Sequence, residues 1–184
     1  MAGHLFSKDE SKHQSYTFQD FKEAQKSQEF LKFVGESTKL KIFTTEFYGY
    51  AKSFVIQYDV KEEILKNIVV KIAAGSLDTD NSMRDDKLHN QCLKVSKFPE
   101  ITLTIAKEVS LKNEGEGEVL AVMHIMDKSL TKSVKYKIQK VDLNTRVDFT
   151  SSFLISESGI EDPSIAIAKV RDEVLLSGTV VLKP

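Results

Sequence analysis

The sequence has little of what several protein classes require. Its 184 residues include a single cysteine, Cys92, which excludes a disulfide framework within the chain and a zinc site built from several cysteines. Lysine and arginine together number 26 against 27 acidic residues, so the chain lacks the basic excess with which nucleic-acid binders neutralise phosphates. We therefore expect no nucleic-acid partner.

Long apolar runs are also absent. No segment approaches the roughly 18 apolar residues that a membrane-spanning helix needs, so we expect no transmembrane segment. Residues 1–16 lack the apolar stretch and the cleavage pattern of a secretory signal peptide. The sequence as given therefore predicts a cytoplasmic protein, or a periplasmic one if it is the mature form of an exported protein.

Catalytic and metal-binding motifs are missing or incomplete. The chain has no G-x-S-x-G, no P-loop and no H-E-x-x-H motif. Residues 78–82 resemble the start of a calcium loop, but Met83 and His89 stand where glycine and glutamate are needed. His89 and Cys92 have i,i+3 spacing, and two ligands alone make an incomplete metal site. We expect no catalytic residue, no metal and no cofactor.

Alternation with a period of two dominates the chain from Phe30 onward. The clearest alternating segments are residues 68–74, 101–105, 134–138, 149–155 and 174–182. Eight or nine short strands without crossover helices between them must pair antiparallel, which indicates a sandwich or a barrel. Periodicity alone does not separate these two architectures.

A stripe of apolar residues predicts one helix before the strands. Phe18, Phe21 and Ala24 recur at helical spacing, which predicts a helix over residues 17–28 with Thr17 as its N-cap. We weigh two roles for this helix: closing the mouth of a barrel, or joining two protomers in a homodimer.

The polar tail and the strands suggest how the chain is divided. Residues 1–16 predict a loose tail, and a second short helix is predicted over residues 82–93. We predict a polar tail and helix over residues 1–28, followed by one β-barrel domain over residues 29–184.

The most specific pattern lies in the centre of the chain. An apolar strand runs into Ser76-Leu77-Asp78-Thr79, Arg84-Asp85 and Leu88 follow in a short helix, and the next strand opens with Phe98-Pro99-Glu100-Ile101. This pattern resembles the YceI-like family of lipocalin-like barrels, which bind polyisoprenoid and related lipids. The resemblance covers about residues 30–183, with Leu103 where the family usually has phenylalanine.

The resemblance implies a fold and a function. The fold is an all-β, antiparallel, eight-stranded lipocalin-like barrel with a short helix after about the fourth strand and the N-terminal helix in addition. The function is non-enzymatic binding, storage or transport, in a bacterial protein, of a polyisoprenoid or similar long-chain lipid such as an isoprenoid quinone or a fatty acid derivative. The expected partner is a hydrophobic small molecule, and no other cofactor is implied.

Alternation assigns an apolar set of residues to the lumen of such a barrel. The predicted lipid-binding residues are Ile68, Val70, Ile72, Ile101, Leu103, Ile105, His124, Val134, Tyr136, Ile138, Phe149, Phe153 and Ile155. His124 stands in an otherwise apolar strand, and we assign it to the lumen where it would meet a polar head group. An enzyme acting through His124 would need an acidic or nucleophilic partner that the sequence does not reveal.

The central motif has a structural interpretation and a functional one. Its residues are Ser76, Asp78, Thr79, Arg84, Asp85, Leu88, Phe98 and Pro99. In the functional interpretation, Arg84 grips a phosphate or quinone head group. In the structural one, which we favour, Asp85 caps the first helical turn and Arg84 pairs with a carboxylate or with carbonyls at a strand end. Asp78 and Thr79 then satisfy turn amides.

One alternative to the lipid carrier comes from another class of function. Large side chains could fill the lumen, which would make the barrel a stress-response or protein-interaction module without lipid. Tyr136, Phe149 and Phe153 are large enough to leave this question open at the level of sequence.

Overall fold

The computed structural model describes residues 10–183, most of which belong to one curled antiparallel sheet. Its strands are β1 (Glu10–Thr17), β2 (Phe30–Lys39), β3 (Phe43–Ala51), β4 (Ser53–Lys61), β5 (Ile64–Ala73), β6 (Leu77–Asp78), β7 (Glu100–Ile105), β8 (Val109–Ser110), β9 (Gly115–Ile125), β10 (Lys128–Val141), β11 (Asn144–Leu154), β12 (Ala168–Val170) and β13 (Glu173–Leu182). The helices are α1 (Phe21–Lys26), α2 (Ser82–Lys87) and α3 (Ile155–Ser158). A 3₁₀ turn spans Ala74–Ser76, and a π-helical turn spans Leu88–Cys92.

Residues 43–61 close the sheet into a ring. The strand β3 pairs with β2 and the strand β4 pairs with β5, although only Lys52 separates β3 from β4. From β5 the pairing continues through β7, β9, β10, β11 and β13 and returns to β2. When β3 and β4 are counted as one bent strand, the ring has eight strands, and β1, β6, β8 and β12 are additions to it. The predicted antiparallel barrel is therefore confirmed.

Residues 10–17 form a strand, whereas the sequence predicts a loose tail over residues 1–16. The strand β1 pairs with β4 along its whole length. The Gln14 side chain donates to the Val181 carbonyl at 3.0 Å and accepts from the Tyr58 hydroxyl at 2.8 Å, so β1 bridges the seam between β4 and β13. These contacts are polar, which is why apolar alternation does not reveal the strand. Residues 1–9 of the predicted tail lie outside the described residues.

The helix α1 is shorter than predicted and lies on the outside of the barrel. Asp20, and not Thr17, is its N-cap, because the Asp20 carboxylate accepts a hydrogen bond from the Glu23 N–H at 2.9 Å. The buried Phe21 ring packs on Tyr48 and Tyr50, with ring centroids 5.8 and 5.3 Å apart. A helix in this position does not close the barrel mouth, so that predicted role is wrong. The homodimer stays a prediction.

Within residues 10–183, none of the helices has the length and hydrophobicity that a membrane-spanning helix needs.

The second predicted helix, over residues 82–93, is divided in two, since α2 ends at Lys87 and the π-helical turn follows it.

Four aromatic rings lie flat over four glycines inside the barrel. The cross-strand pairs are Phe47 with Gly35, Phe33 with Gly49, Tyr136 with Gly117, and Phe149 with Gly178. In each pair the ring occupies the space that a Cβ atom on the glycine would need. Aromatic side chains ordinarily stand away from a sheet, but a cross-strand glycine lets the ring lie against it. The interior therefore carries four large rings without being filled by them.

We expect Gly49→Ala to destabilise the barrel. A Cβ atom at this position would lie 2.5 Å from the Phe33 ring and 2.7 Å from the backbone carbonyl oxygen of Asp78, so β3 and β6 could not keep their present spacing. Overpacking of this kind costs about 1–3 kcal/mol in the free energy of unfolding. Urea denaturation measures this loss. Thr45→Ala, on an exposed position of the same strand, is the control and should change stability by less than about 0.5 kcal/mol. Equal stability of the two variants would contradict the prediction.

Candidate functional site

An apolar cavity of about 390 Å³ lies at one end of the barrel and is here called the upper cavity. Its walls are apolar side chains, including Ile72, Leu93, Ile101, Leu103, Met123, Ile125, Phe153, Ile155, Val174 and Leu176. The volume falls within the range of about 300–1,000 Å³ that small-molecule sites occupy. A cavity with such walls favours a ligand with little polar surface.

Two smaller cavities continue the apolar interior along the barrel. A middle cavity of about 70 Å³ shares Phe33, Ile72 and Leu176 with the upper cavity. A lower cavity of about 90 Å³ shares Val70 and Phe149 with the middle one. Leu103 lines all three cavities. The interior is thus elongated, and Leu103 lies where its parts meet.

The structure brings twelve of the thirteen predicted lumen residues to the interior. Ile72, Ile101, Leu103, Phe153 and Ile155 line the upper cavity. Ile68, Val70, Ile105, Val134, Tyr136 and Phe149 line the lower cavity. Ile138 is buried in the apolar core beside it. Their contact with a ligand stays a prediction.

His124 is the exception, and its assignment to the lumen is wrong. In β9 the buried residues are Val119, Ala121, Met123 and Ile125, so His124 points to the outer face, where it is exposed. Its Nδ1 atom lies 2.8 Å from the Ser129 hydroxyl oxygen. A side chain on this face cannot meet a head group in the cavity.

Sequence reasoning missed cavity residues in the β2–β3 hairpin, in the π-helical turn and in the segment that leads through β12. These are Phe33, Phe47, Cys92, Ile160, Ile165, Ala168 and Val170. Residues 159–167 have no strand or helix period that could have assigned a face. In the hairpin, Phe33-Val34 and Phe47-Tyr48 place apolar residues on both faces, so alternation gives no answer.

Polar side chains gather where the upper cavity reaches the surface. Ser37, Lys39, Thr45, Glu46, Thr79, Arg84 and Lys87 line this mouth. The Lys87 ammonium group donates to the Pro163 carbonyl at 2.6 Å and so ties α2 to the loop on the other side. The site has an apolar interior and a charged mouth, an arrangement suited to a ligand with a long apolar part and a polar end.

Arg84 and Asp85 hold the start of α2 to Thr79. The Arg84 guanidinium donates to the Thr79 hydroxyl at 2.8 Å and to the Thr79 carbonyl at 2.9 Å. The Asp85 carboxylate accepts from the Thr79 N–H at 3.0 Å and from the Thr79 hydroxyl at 2.6 Å. The N-cap of α2 is Asn81, not Asp85 as predicted, because the Asn81 side chain is the one that accepts from the Arg84 N–H. Arg84 pairs with the predicted strand-end carbonyl.

The rest of the central motif fixes the bend between β3 and β4. Asp78 forms an ion pair with Lys52 at 2.9 Å, and Ser76 Oγ accepts from the Ser53 N–H at 3.0 Å. Burial raises the pKa of the Asp78 carboxyl, but Lys52 and the Asp80 N–H lower it, and the resulting pKa lies below the usual value.

Three further motif residues complete the packing around α2 and the π-helical turn, which together are here called the helical cap. The Pro99 carbonyl accepts from the Ala74 N–H at 2.9 Å. The Phe98 ring lies beneath the Lys97 ammonium at 5.0 Å, and Leu88 lines the upper cavity. The motif therefore acts mainly through hydrogen bonds and packing.

His89 and Cys92 take part in separate local contacts. His89 Nε2 donates to the Leu77 carbonyl at 2.7 Å. Burial raises the pKa of the Cys92 thiol, which stays neutral against the upper cavity. In the part of the chain that the structure describes, no three His, Cys, Asp or Glu side chains are grouped as a metal site would require.

The fold and the cavity define a class: an antiparallel barrel whose elongated apolar interior opens at one end beneath a helical cap. Within that class the chain can be assigned to a family. Residues 13–182 match the YceI-like domain, and the chain belongs to the YceI-like family. Among curated protein sequences, none matches this chain significantly.

Solved structures show the same fold. BcnA of Burkholderia cenocepacia superposes with a TM-score of 0.67 at 16% identity, over 83% of this chain and 96% of BcnA. A polyisoprenoid binding domain from Saccharophagus degradans, implicated in plant cell wall breakdown, gives 0.61 at 10% identity, over 85% of this chain and 94% of that domain. The Campylobacter jejuni YCEI protein gives 0.56 at 19% identity, over 74% of this chain and 85% of that protein.

We expect Arg84→Ala to lower thermal stability with little effect on lipid affinity. The variant loses two hydrogen bonds from a charged group to Thr79, worth together about 1–2 kcal/mol at this exposed position. Thermal unfolding and a lipid-binding titration on the same sample measure the two effects. Met83→Ala, at the exposed neighbouring position, is the control and should leave both unchanged. Unchanged stability with lost binding would show that Arg84 contacts a head group instead.

The Asp78–Lys52 ion pair predicts an acid-dependent part of the stability. Because the pKa of Asp78 is lowered in the folded chain, its contribution is full above about pH 4 and is lost as the pH falls through the folded pKa. The native chain should therefore be more stable than Asp78→Asn at pH 7, and the difference should shrink toward pH 3. Melting temperatures across this range test the prediction, with the exposed Asp86→Asn as control. A difference that does not change with pH would contradict it.

Proposed function

We propose that this chain binds a polyisoprenoid or similar long-chain lipid in its lumen and stores or transports it without catalysing a reaction. The observation that carries the proposal is the upper cavity of about 390 Å³, whose apolar walls continue into two smaller cavities. Membership of the YceI-like family supports it, as does the similarity in fold to a polyisoprenoid binding domain.

The shape of the interior favours a chain over a compact molecule. The three cavities follow one another along the barrel and share walls at Leu103. A flexible hydrocarbon chain can extend through such a space when side chains shift slightly at the shared walls. The lower cavity is lined by Tyr58 and Tyr136 in addition to aliphatic residues, and the Tyr58 hydroxyl is already hydrogen-bonded to Gln14. The lower end therefore suits a methyl terminus.

The energetics agree with a ligand held by its apolar part. Burial of hydrocarbon contributes about 0.8 kcal/mol per CH₂, so a tail of roughly 20 carbons gains on the order of 16 kcal/mol before costs. Ordering and association remove about 4–15 kcal/mol. Affinity then depends on chain length more than on the head group, which the charged mouth would leave near solvent.

The chemistry of the described residues supports binding without catalysis. The interior is lined almost wholly by hydrocarbon and aromatic side chains, and Cys92 is held there as a neutral thiol. His124, the residue on which an enzyme hypothesis rested, lies on the outer face. Two of the charged side chains at the mouth, Arg84 and Lys87, are engaged in holding α2.

The first test is native mass spectrometry of protein purified without detergent, followed by solvent extraction. We expect a discrete added mass that extracts as an isoprenoid or fatty chain. A bare mass that stays bare after incubation with quinones, polyprenols and fatty amides would contradict the proposal. A protein-interaction or stress-response module without lipid would then be the remaining hypothesis.

The same measurement with Leu103 variants tests the path of the chain. Leu103→Phe should narrow the junction of the three cavities and shift binding toward shorter polyprenols, and Leu103→Ala should shift it toward longer ones. Leu120→Phe, on the exposed outer face of β9, is the matched control and should leave the preference unchanged. An identical length preference in all these variants would show that the ligand does not extend past Leu103.

A further inference from the structure

A cluster of exposed apolar side chains stands beside the mouth of the upper cavity. Its members are Leu40, Ile42, Phe43, Ile165 and Ile167, and each side chain is more than half exposed. This set is here called the rim patch. Single exposed apolar residues are ordinary on protein surfaces, whereas a group of five at the entrance of an apolar cavity marks an interaction surface.

Backbone hydrogen bonds bring the two segments of the rim patch side by side. The Leu40 N–H donates to the Ile167 carbonyl at 3.0 Å, and Ala168 pairs with Lys39 where β12 adds to β2. Ile165 and Lys39 also line the upper cavity. The rim patch is therefore continuous with the mouth and does not lie on a separate part of the surface.

The geometry of the hairpin turn does not require these apolar residues. Leu40 and Lys41 have φ values of 50° and 61°, and the Ile42 N–H donates to the Lys39 carbonyl at 3.0 Å, as in a turn that normally prefers Asn-Gly. The β4–β5 turn has the same left-handed backbone at Glu62 and Glu63, with φ values of 52° and 59°. That turn exposes two charged residues instead. The backbone conformation of the β2–β3 turn therefore does not explain why its exposed side chains are apolar.

The charge on the two segments is positive. Lys39, Lys41 and Lys169 are exposed on residues 39–43 and 165–169, and these ten residues include no carboxylate. The flanking acids are partly engaged: Glu36 pairs with Arg171 at 2.6 Å, and Asp162 accepts from the Ser164 N–H at 2.8 Å. Glu46 is the exposed acid nearest along β3. Apolar side chains interleaved with lysines complement an anionic lipid surface, which offers both a hydrocarbon layer and negative head groups.

A second copy of the chain fits the rim patch less well. A stable dimer buries about 800 Å² on each partner, from roughly 20–30 residues, whereas the patch has five apolar side chains at the tips of two segments. A twofold interface centred on it would also place the lysines of one copy close to those of the other. The tips of two segments can instead enter the head-group layer without a large flat contact.

We propose that the rim patch docks the open end of the barrel on an anionic lipid surface. This inference deepens the proposed function, since docking would let a lipid pass between the bilayer and the upper cavity without crossing water. The lysines provide the attraction to the surface, and the apolar tips enter the boundary between head groups and acyl chains.

Sedimentation with vesicles tests the docking. The chain should co-sediment with vesicles of phosphatidylglycerol and phosphatidylcholine, and less with vesicles of phosphatidylcholine alone. The triple variant Leu40→Ser, Ile42→Ser, Phe43→Ser should bind at least about tenfold more weakly, because most of the apolar area that enters the bilayer is removed. Val141→Ser with Leu143→Ser, at the exposed tip of the β10–β11 hairpin, is the matched control and should bind as the native chain does.

A charge variant keeps the test decisive if the triple variant folds poorly. Lys39→Ala with Lys41→Ala should weaken binding to the anionic vesicles by about fivefold for each lysine, and added salt should have a smaller effect on this variant than on the native chain. Circular dichroism and thermal unfolding establish that each variant is folded.

Three outcomes would overturn the docking proposal. These are no binding of the native chain to the anionic vesicles, equal binding of the triple variant and its control, and a native dimer that the triple variant converts to a monomer while vesicle binding is absent. Native mass spectra of the same samples keep the two proposals apart. Vesicle binding by a chain with an empty lumen would support docking and count against lipid carriage, and a lipid-loaded chain that ignores vesicles would overturn docking alone.

Discussion

The open interior depends on the pairing of four aromatic rings with four glycines across neighbouring strands. A closed ring of eight strands leaves room for only one layer of side chains or for one narrow ligand. If Phe33, Phe47, Tyr136 and Phe149 stood upright on their strands, they would fill that room. Each ring instead covers a glycine on the adjacent strand, so its bulk lies along the wall. A barrel with large aromatic residues can in this way remain hollow.

The closure of the ring also explains the position of α2. The ring closes through the bend at Lys52, whose N–H donates to the Ser76 carbonyl and whose side chain pairs with Asp78. That bend sets where the chain leaves β6 and enters α2, and Thr79 then receives both Arg84 and Asp85. The main role of the central sequence motif is therefore to hold α2 beside the mouth of the upper cavity. The charged residues Arg84 and Lys87 lie at the mouth because their hydrogen bonds hold α2 there.

Much of the barrel follows from alternation, and the failures have physical reasons. The faces of β5, β7, β10 and β11 were predictable because their two faces differ in polarity. In β9 both faces carry apolar residues, and His124 was assigned to the wrong one. Glu118 has the same parity as His124, so the charged residue already marked that face as the solvent side. The strand β1 could not be found by alternation, because Gln14 and Tyr16 hold it through hydrogen bonds.

A carrier of long-chain lipid has to solve two opposed problems, and the two ends of this cavity differ accordingly. Retention of the lipid requires an apolar wall, which residues such as Leu103 and Leu182 provide in the lower cavity. Release through water would expose hydrocarbon at about 0.8 kcal/mol per CH₂, so a chain of roughly 20 carbons would face a barrier on the order of 16 kcal/mol. Such a barrier makes spontaneous exchange slow, however the cavity is shaped. If the apolar and cationic rim docks as proposed, the water-exposed step is removed, because the lipid then passes directly between the cavity and the lipid layer. The proposed docking would therefore make tight burial in the lumen compatible with usable exchange at the mouth, because the two tasks fall to different residues.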